Sequence, residues 1–132
     1  MLLTKESDYG IRVIRSLAGD EKKTVREICE AEHIPNQYAY KILKKLEHGG
    51  FVQSLRGRDG GYILSKALDS FSLYDIAVAL DGDFAVFECL REENSCVFNN
   101  SEHPCKVHLE FVRLQQLLVD EMKQVTMDVV LD

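Results

Sequence analysis

The sequence contains no apolar run approaching the roughly 18 residues that a membrane span requires. Met1-Leu-Leu gives way at once to Thr4, Lys5 and Glu6. Neither a transmembrane helix nor a signal peptide is expected, which places the protein in the cytoplasm with no membrane partner. Low-complexity and repeated segments are also missing, so the 132 residues, 45% of them apolar, suffice for one core and an extension. There is no Ser/His/Asp set and no phosphate-cradling loop. The glycines from Gly57 to Gly61 precede a short strand pattern rather than a helix, unlike a dinucleotide site. An enzyme is therefore not expected. Cysteines are too few for a disulfide framework: outside Cys29 there are three, which cannot pair off evenly, and a cytosolic chain rarely keeps disulfides.

Net positive charge is lacking too, at −6 overall, which looks wrong for a nucleic-acid partner until the charge is divided along the chain. Residues 1–66 hold 12 Lys and Arg against 9 Asp and Glu, whereas residues 67–132 hold 4 against 13. A basic surface confined to the first half suffices to meet phosphates, with the acidic half turned away.

That first half contains a helix-turn-helix followed by a hairpin. Thr4 or Ser7 can cap a first helix with an Ile11, Ile14, Leu17 and Ala18 stripe, ended at Gly19-Asp20. Thr24-Val-Arg-Glu27 reads as a capping box that starts a second helix. Val25, Ile28 and Cys29 share the inner face of that helix, so Cys29 reads as a small core hydrophobe. After a short turn at His33-Ile34, Pro35 opens a third helix at the position that loses no hydrogen bond. Ala39, Ile42, Leu43 and Leu46 give it a buried stripe. Its other face carries Asn36, Gln37, Tyr40, Lys41, Lys44, Lys45 and His48, amides that can pair with base edges and cations that can meet phosphate. Gly49-Gly50 stops the helix. Phe51 to Leu55 and Tyr62 to Leu64 read as two strands around Arg56-Gly-Arg58-Asp-Gly-Gly61, a hairpin whose glycines permit a tight turn and whose arginines make it a candidate wing on DNA.

Ser72-Leu-Tyr-Asp75 resembles a second capping box, opening a fourth helix with Leu73, Ile76, Ala77 and Leu80 on one face. From Asp83 to Pro104 periodicity fades into a connector. Beyond it Val107, Phe111, Leu114, Leu118, Met122, Val125 and Val129 recur in steps of four and three, the seam of one long helix that packs on another. A second copy of the chain is the expected partner, since DNA readers gain palindromic specificity by pairing. Cys89, Cys96 and Cys105 sit in or border the connector, and His108 follows the last of them by three positions. Thiolates clustered in a loop with little apolar sequence point to a metal centre, either an iron-sulfur cluster or zinc, with free redox-sensitive thiols as the alternative.

Leu3-Thr-Lys-Glu-Ser-Asp-Tyr9, Ile34-Pro35 with Tyr38, Lys41-Ile-Leu-Lys-Lys-Leu46, Gly50-Phe-Val52, Arg56-Gly57 with Gly60-Gly-Tyr-Ile-Leu64, and the three-cysteine loop together resemble one family. It is the Rrf2 family of winged-helix regulators that includes IscR, NsrR and CymR, and the likeness covers nearly the whole chain. The resemblance implies a mainly α fold with a small β wing. A winged helix-turn-helix domain would occupy residues 1–82, a cysteine-containing loop 83–105, and a dimerisation helix 106–132. It further implies a homodimer on a palindromic double-stranded operator, acting as a transcriptional repressor or activator through the third helix and the wing. Cys89, Cys96 and Cys105 match the iron-sulfur ligands of members that keep them. Either His108 or Asp8 matches the fourth, Asp8 reaching across the dimer. A zinc-stabilised or cluster-free, thiol-responsive regulator is the alternative.

Overall fold

Thr4 sets the start of the first helix by accepting a hydrogen bond from the Ser7 amide at 3.3 Å, one of the donors that a helix N-terminus leaves free. In the computed structural model, which describes residues 3–132, this helix is α1 (Lys5–Leu17), followed by α2 (Val25–Glu32) and α3 (Asn36–His48). Strands β1 (Val52–Leu55) and β2 (Gly61–Leu64) then precede α4 (Leu73–Asp81), α5 (Lys106–Gln124) and α6 (Met127–Val130). Met1 and Leu2, on which the expected lack of a signal peptide partly rests, lie outside the described residues. No helix among the described residues is long and apolar enough to cross a membrane.

The apolar stripes read from the sequence meet in one core. Ile14 and Leu17 of α1, Ile28 of α2, Ile42, Leu43 and Leu46 of α3, Ile76 of α4 and Val52 of β1 are all but fully buried there. Each such aliphatic side chain contributes about 1.5–3 kcal/mol relative to remaining exposed. The two strands pair antiparallel with Val52 opposite Leu64 and Leu55 opposite Gly61, so the hairpin springs from the core at Phe51, whose ring meets Phe71 edge-on at 5.0 Å. At α4 the Asp75 carboxylate accepts from both the Ser72 amide, at 2.8 Å, and the Ser72 hydroxyl, at 2.9 Å.

α1 and α4 cross closely at Gly10. A Cβ there would stand 2.1 Å from Cδ1 of the buried Leu80 and 3.6 Å from Cγ2 of Ile76. Gly10→Val is therefore expected to overpack this crossing and lower stability by about 1–3 kcal/mol, read from the midpoint of urea unfolding. An unchanged midpoint would show that the crossing yields freely.

The C-terminal segment departs from the single long helix expected over 106–132. α5 ends at Gln124, Val125 is extended (φ −109°, ψ 119°), and Thr126 bridges to Ser72 before α6 begins. The reason is Met127. Its amide donates to the Phe71 carbonyl at 2.9 Å and its side chain is fully buried in the winged-helix core. Two consecutive β-branched residues, Val125 and Thr126, suit the extended link that turns it inward. Val129 consequently belongs to α6, is solvent-exposed and takes no part in a continuous seam.

Candidate nucleic-acid interface and cysteine loop

The helix-turn-helix is fixed at three points. The Thr24 hydroxyl accepts from the Glu27 amide at 3.2 Å while the Glu27 carboxylate accepts from the Thr24 amide at 2.7 Å, closing the expected capping box. These bonds, the backbone one foremost, hold the Glu27 carboxyl below the usual carboxylate range. At the other end of α2, His33 adopts a left-handed conformation (φ 53°) and the Ile34 amide returns to the Cys29 carbonyl at 3.1 Å. Pro35 then caps α3 just outside its first turn, where its carbonyl accepts from Tyr38 at 2.9 Å and Ala39 at 3.2 Å. Cys29 is buried as expected, and desolvation pushes its thiol pKa up.

Ala39, Ile42, Leu43 and Leu46 are buried, so the opposite face of α3 is left to solvent. Asn36, Gln37, Tyr40, Lys44 and His48 are exposed on it, Tyr40 at 63%. Asn36 and Gln37 occupy the first turn, the end of a recognition helix that meets base edges. Lys41 and Lys45, expected from the sequence to meet phosphate, also have a partner within the protein. Both ammonium groups pair with the Glu6 carboxylate of α1, and Lys45 also donates to the Leu80 carbonyl at 2.7 Å. Spacing alone placed them on the polar face, and a partner some forty positions away in sequence leaves no local signal.

In the wing, Arg56 and Arg58 are exposed, and Gly57 takes φ +115°, a conformation that side chains disfavour. Two further basic residues lie beside its turn end. The Lys22 ammonium donates to the Asp59 carbonyl of the wing turn, and Lys23 forms an antiparallel bridge with Tyr62, its amide and carbonyl bonded at 3.1 and 2.8 Å. A third, very short strand segment thus braces the hairpin. Sequence reasoning passed over Lys22 and Lys23. The only hint was a basic pair immediately before the Thr24 cap. On the other strand, Glu47 of α3 accepts from the Ser54 hydroxyl at 2.7 Å and its amide at 3.2 Å, which ties helix to strand and lowers the Glu47 pKa.

Cys89 lies in a 3-10 turn (Glu88–Leu90), Cys96 in the following loop, and Cys105 at the N-cap of α5. Asn side chains shape this segment: Asn99 accepts from the Cys105 amide at 2.9 Å, and Asn100 accepts from Glu102 and His103. Stacked rings of Phe87 and Phe111, with centroids 3.7 Å apart, pin the start of the loop to α5. All three thiols are free and half-buried. One turn into α5, His108 has a buried Nδ1 with no hydrogen-bond partner, and Asp8 on α1 pairs with Arg12 at 3.0 Å. Among the described residues, no three His, Cys, Asp or Glu side chains come together as a metal site. The structure thus places Cys89, Cys96, Cys105 and His108 around one loop and helix start without gathering them, and Asp8 on a separate helix. In kind, three free thiols and a buried imidazole nitrogen lacking a partner suit a soft metal centre.

A family model described as "Rrf2: Iron-dependent Transcriptional regulator" matches residues 3–132. The HTH-type transcriptional repressor NsrR of Streptomyces coelicolor is 34% identical over 100 residues, 73% of this chain and 67% of that protein. Protein aau3 of Rhizobium meliloti is 33% identical over 93 residues, 69% of this chain but only 60% of its own length. Among solved structures, CymR, the global cysteine regulator of Bacillus subtilis, superposes with a TM-score of 0.76 at 22% identity, covering 99% of this chain and 96% of that one.

Proposed function

This chain belongs to the Rrf2 family of DNA-binding transcriptional regulators, and from that premise we propose that it is a cytoplasmic, dimeric repressor whose operator binding is controlled by an iron-sulfur cluster on Cys89, Cys96 and Cys105. The observation that carries the cluster reading is the grouping of three free, half-buried thiols on one loop between α4 and α5. When bound, a cluster supplies a link that oxidants and nitric oxide destroy, which suits a sensor. His108 is favoured as fourth ligand because its Nδ1 is buried without a partner, whereas Asp8 already pairs with Arg12. A second reading, a thiol-responsive or zinc-stabilised regulator, draws support from the failure of the cysteines to converge in the structure. Purification without oxygen separates the two. A brown or red protein with stoichiometric iron and sulfide is expected, and a colourless one overturns the cluster reading.

For DNA, the reading assigns Asn36, Gln37 and Tyr40 to base edges and Lys44, Arg56 and Arg58 to phosphates, with Lys22 and Lys23 adding charge beside the wing. If about four to six phosphates are neutralised per protomer, the log-log salt slope should approach roughly −0.9 for each. Arg58→Ala is expected to weaken operator and random duplex alike and to flatten that slope by about one phosphate's share. Gln37→Ala should instead relax sequence preference, since an amide reads a base edge. Equal losses for Gln37→Ala on both duplexes would remove its reading role.

A further inference from the structure

Two lysines of α3, on the polar face and its flank toward α1, are tied back to the protein by polar contacts. Glu6, only 20% exposed, spends both carboxylate oxygens on this helix: Oε1 accepts from Lys41 and Oε2 from Lys45 at 2.5 Å. Lys45 also reaches the Leu80 carbonyl in the last turn of α4. The next residue, Asp81, accepts from the Thr4 and Ser7 hydroxyls at 2.5 Å each, and Ser7 is fully buried. One carboxylate of α1 and one of α4 therefore lock three helices together.

We propose that Glu6 is a positioning residue for the DNA-reading helix, and that Lys45 is the strut through which it acts rather than a phosphate contact. The hydrophobic effect is non-directional, whereas hydrogen bonds add directional constraints on rotation and register. Lys45 lies nine positions from Asn36, about 13.5 Å along the axis at 1.5 Å per residue. A tilt of roughly 10° about the strut therefore sweeps the first turn by about 2 Å, enough to break a base-edge hydrogen bond. The hydrogen bonds from Lys41 and then Lys45 hold the Glu6 carboxyl below the usual carboxylate range, so it stays ionised at working pH.

The test uses the full chain, a duplex selected from random sequence by the wild-type protein, and a scrambled duplex of the same length. Glu6→Gln and Lys45→Met are each expected to lose about tenfold in affinity for the selected duplex, the scale of one base contact. Affinity for the scrambled duplex and the salt slope should stay as in the wild type. The double variant should lose no more than either single one, because both act through one strut. Three results overturn the proposal. Unchanged affinity for the selected duplex removes the positioning role. Tighter binding to the scrambled duplex, with a slope steeper by about 0.9 per lysine, shows instead that Glu6 masks phosphate ligands. Equal losses on both duplexes with a lowered melting temperature show a structural role only. If Glu6→Gln does not fold, Lys45→Met alone still decides: loss confined to the selected duplex supports the strut, whereas weaker binding to both duplexes with a slope flattened by about 0.9 makes Lys45 a phosphate contact and overturns the proposal.

Discussion

Changing Leu117 to glutamate is expected to turn the protein into monomers at micromolar concentration and to remove most of its operator affinity. In the isolated protomer α5 turns Phe111, Leu118 and Val119 inward and leaves Val107 59% and Leu117 62% exposed, with Leu109, Val112 and Leu114 exposed beside them. So much apolar surface on one helix calls for a covering partner, and a second copy of the same helix provides a self-complementary one. A glutamate at that interface must either strip its charge of water or hold the copies apart, and both cost several kcal/mol. Leu117 is the better probe than Leu118, which is half-buried in its own protomer and would confound dimerisation with folding. Sedimentation velocity reads the outcome directly. A variant that remains dimeric would move the interface off α5.

The second large effect concerns the cysteines. Replacing Cys89, Cys96 or Cys105 by alanine is each expected to abolish iron incorporation while leaving a folded protein, since none of the three belongs to the core and their loop is already shaped by Asn99 and Asn100. His108→Ala should leave a cluster that forms but decays faster, whereas Asp8→Ala should leave its lifetime as in the wild type. The measurement is visible absorbance with iron content, followed through exposure to air, with circular dichroism as the folding control. Full iron in all three cysteine variants would reduce the loop to free thiols.

Much of this architecture was legible in the sequence because it rests on local rules. The Thr24–Glu27 box, the helical stripe of Ala39, Ile42, Leu43 and Leu46, and the glycine-rich hairpin each lie within a few residues of their cause. What escaped was set by partners distant in the chain. Lys41 and Lys45 look like free surface cations until Glu6 is folded against them, and Lys22 becomes part of the wing only when β2 arrives beside it. The apolar repeat running into Val125 and Val129 continues without a visible break, yet the helix stops. Met127 serves a different surface from its neighbours, and periodicity does not reveal which surface an apolar residue will fill. The cysteines show the same limit: spacing marks them as candidates, but the bond that would draw them together is not written in the chain.

Met127 also has a consequence for synthesis. A ribosome delivers α1 through α4 first, and elsewhere such an N-terminal unit would fold as it emerges. Here that unit lacks an interior side chain and the backbone bridge between Ser72 and Thr126 until Met127 itself has been made. The half assigned to DNA binding therefore completes its core only after α5, the helix proposed to pair the two copies, has been made.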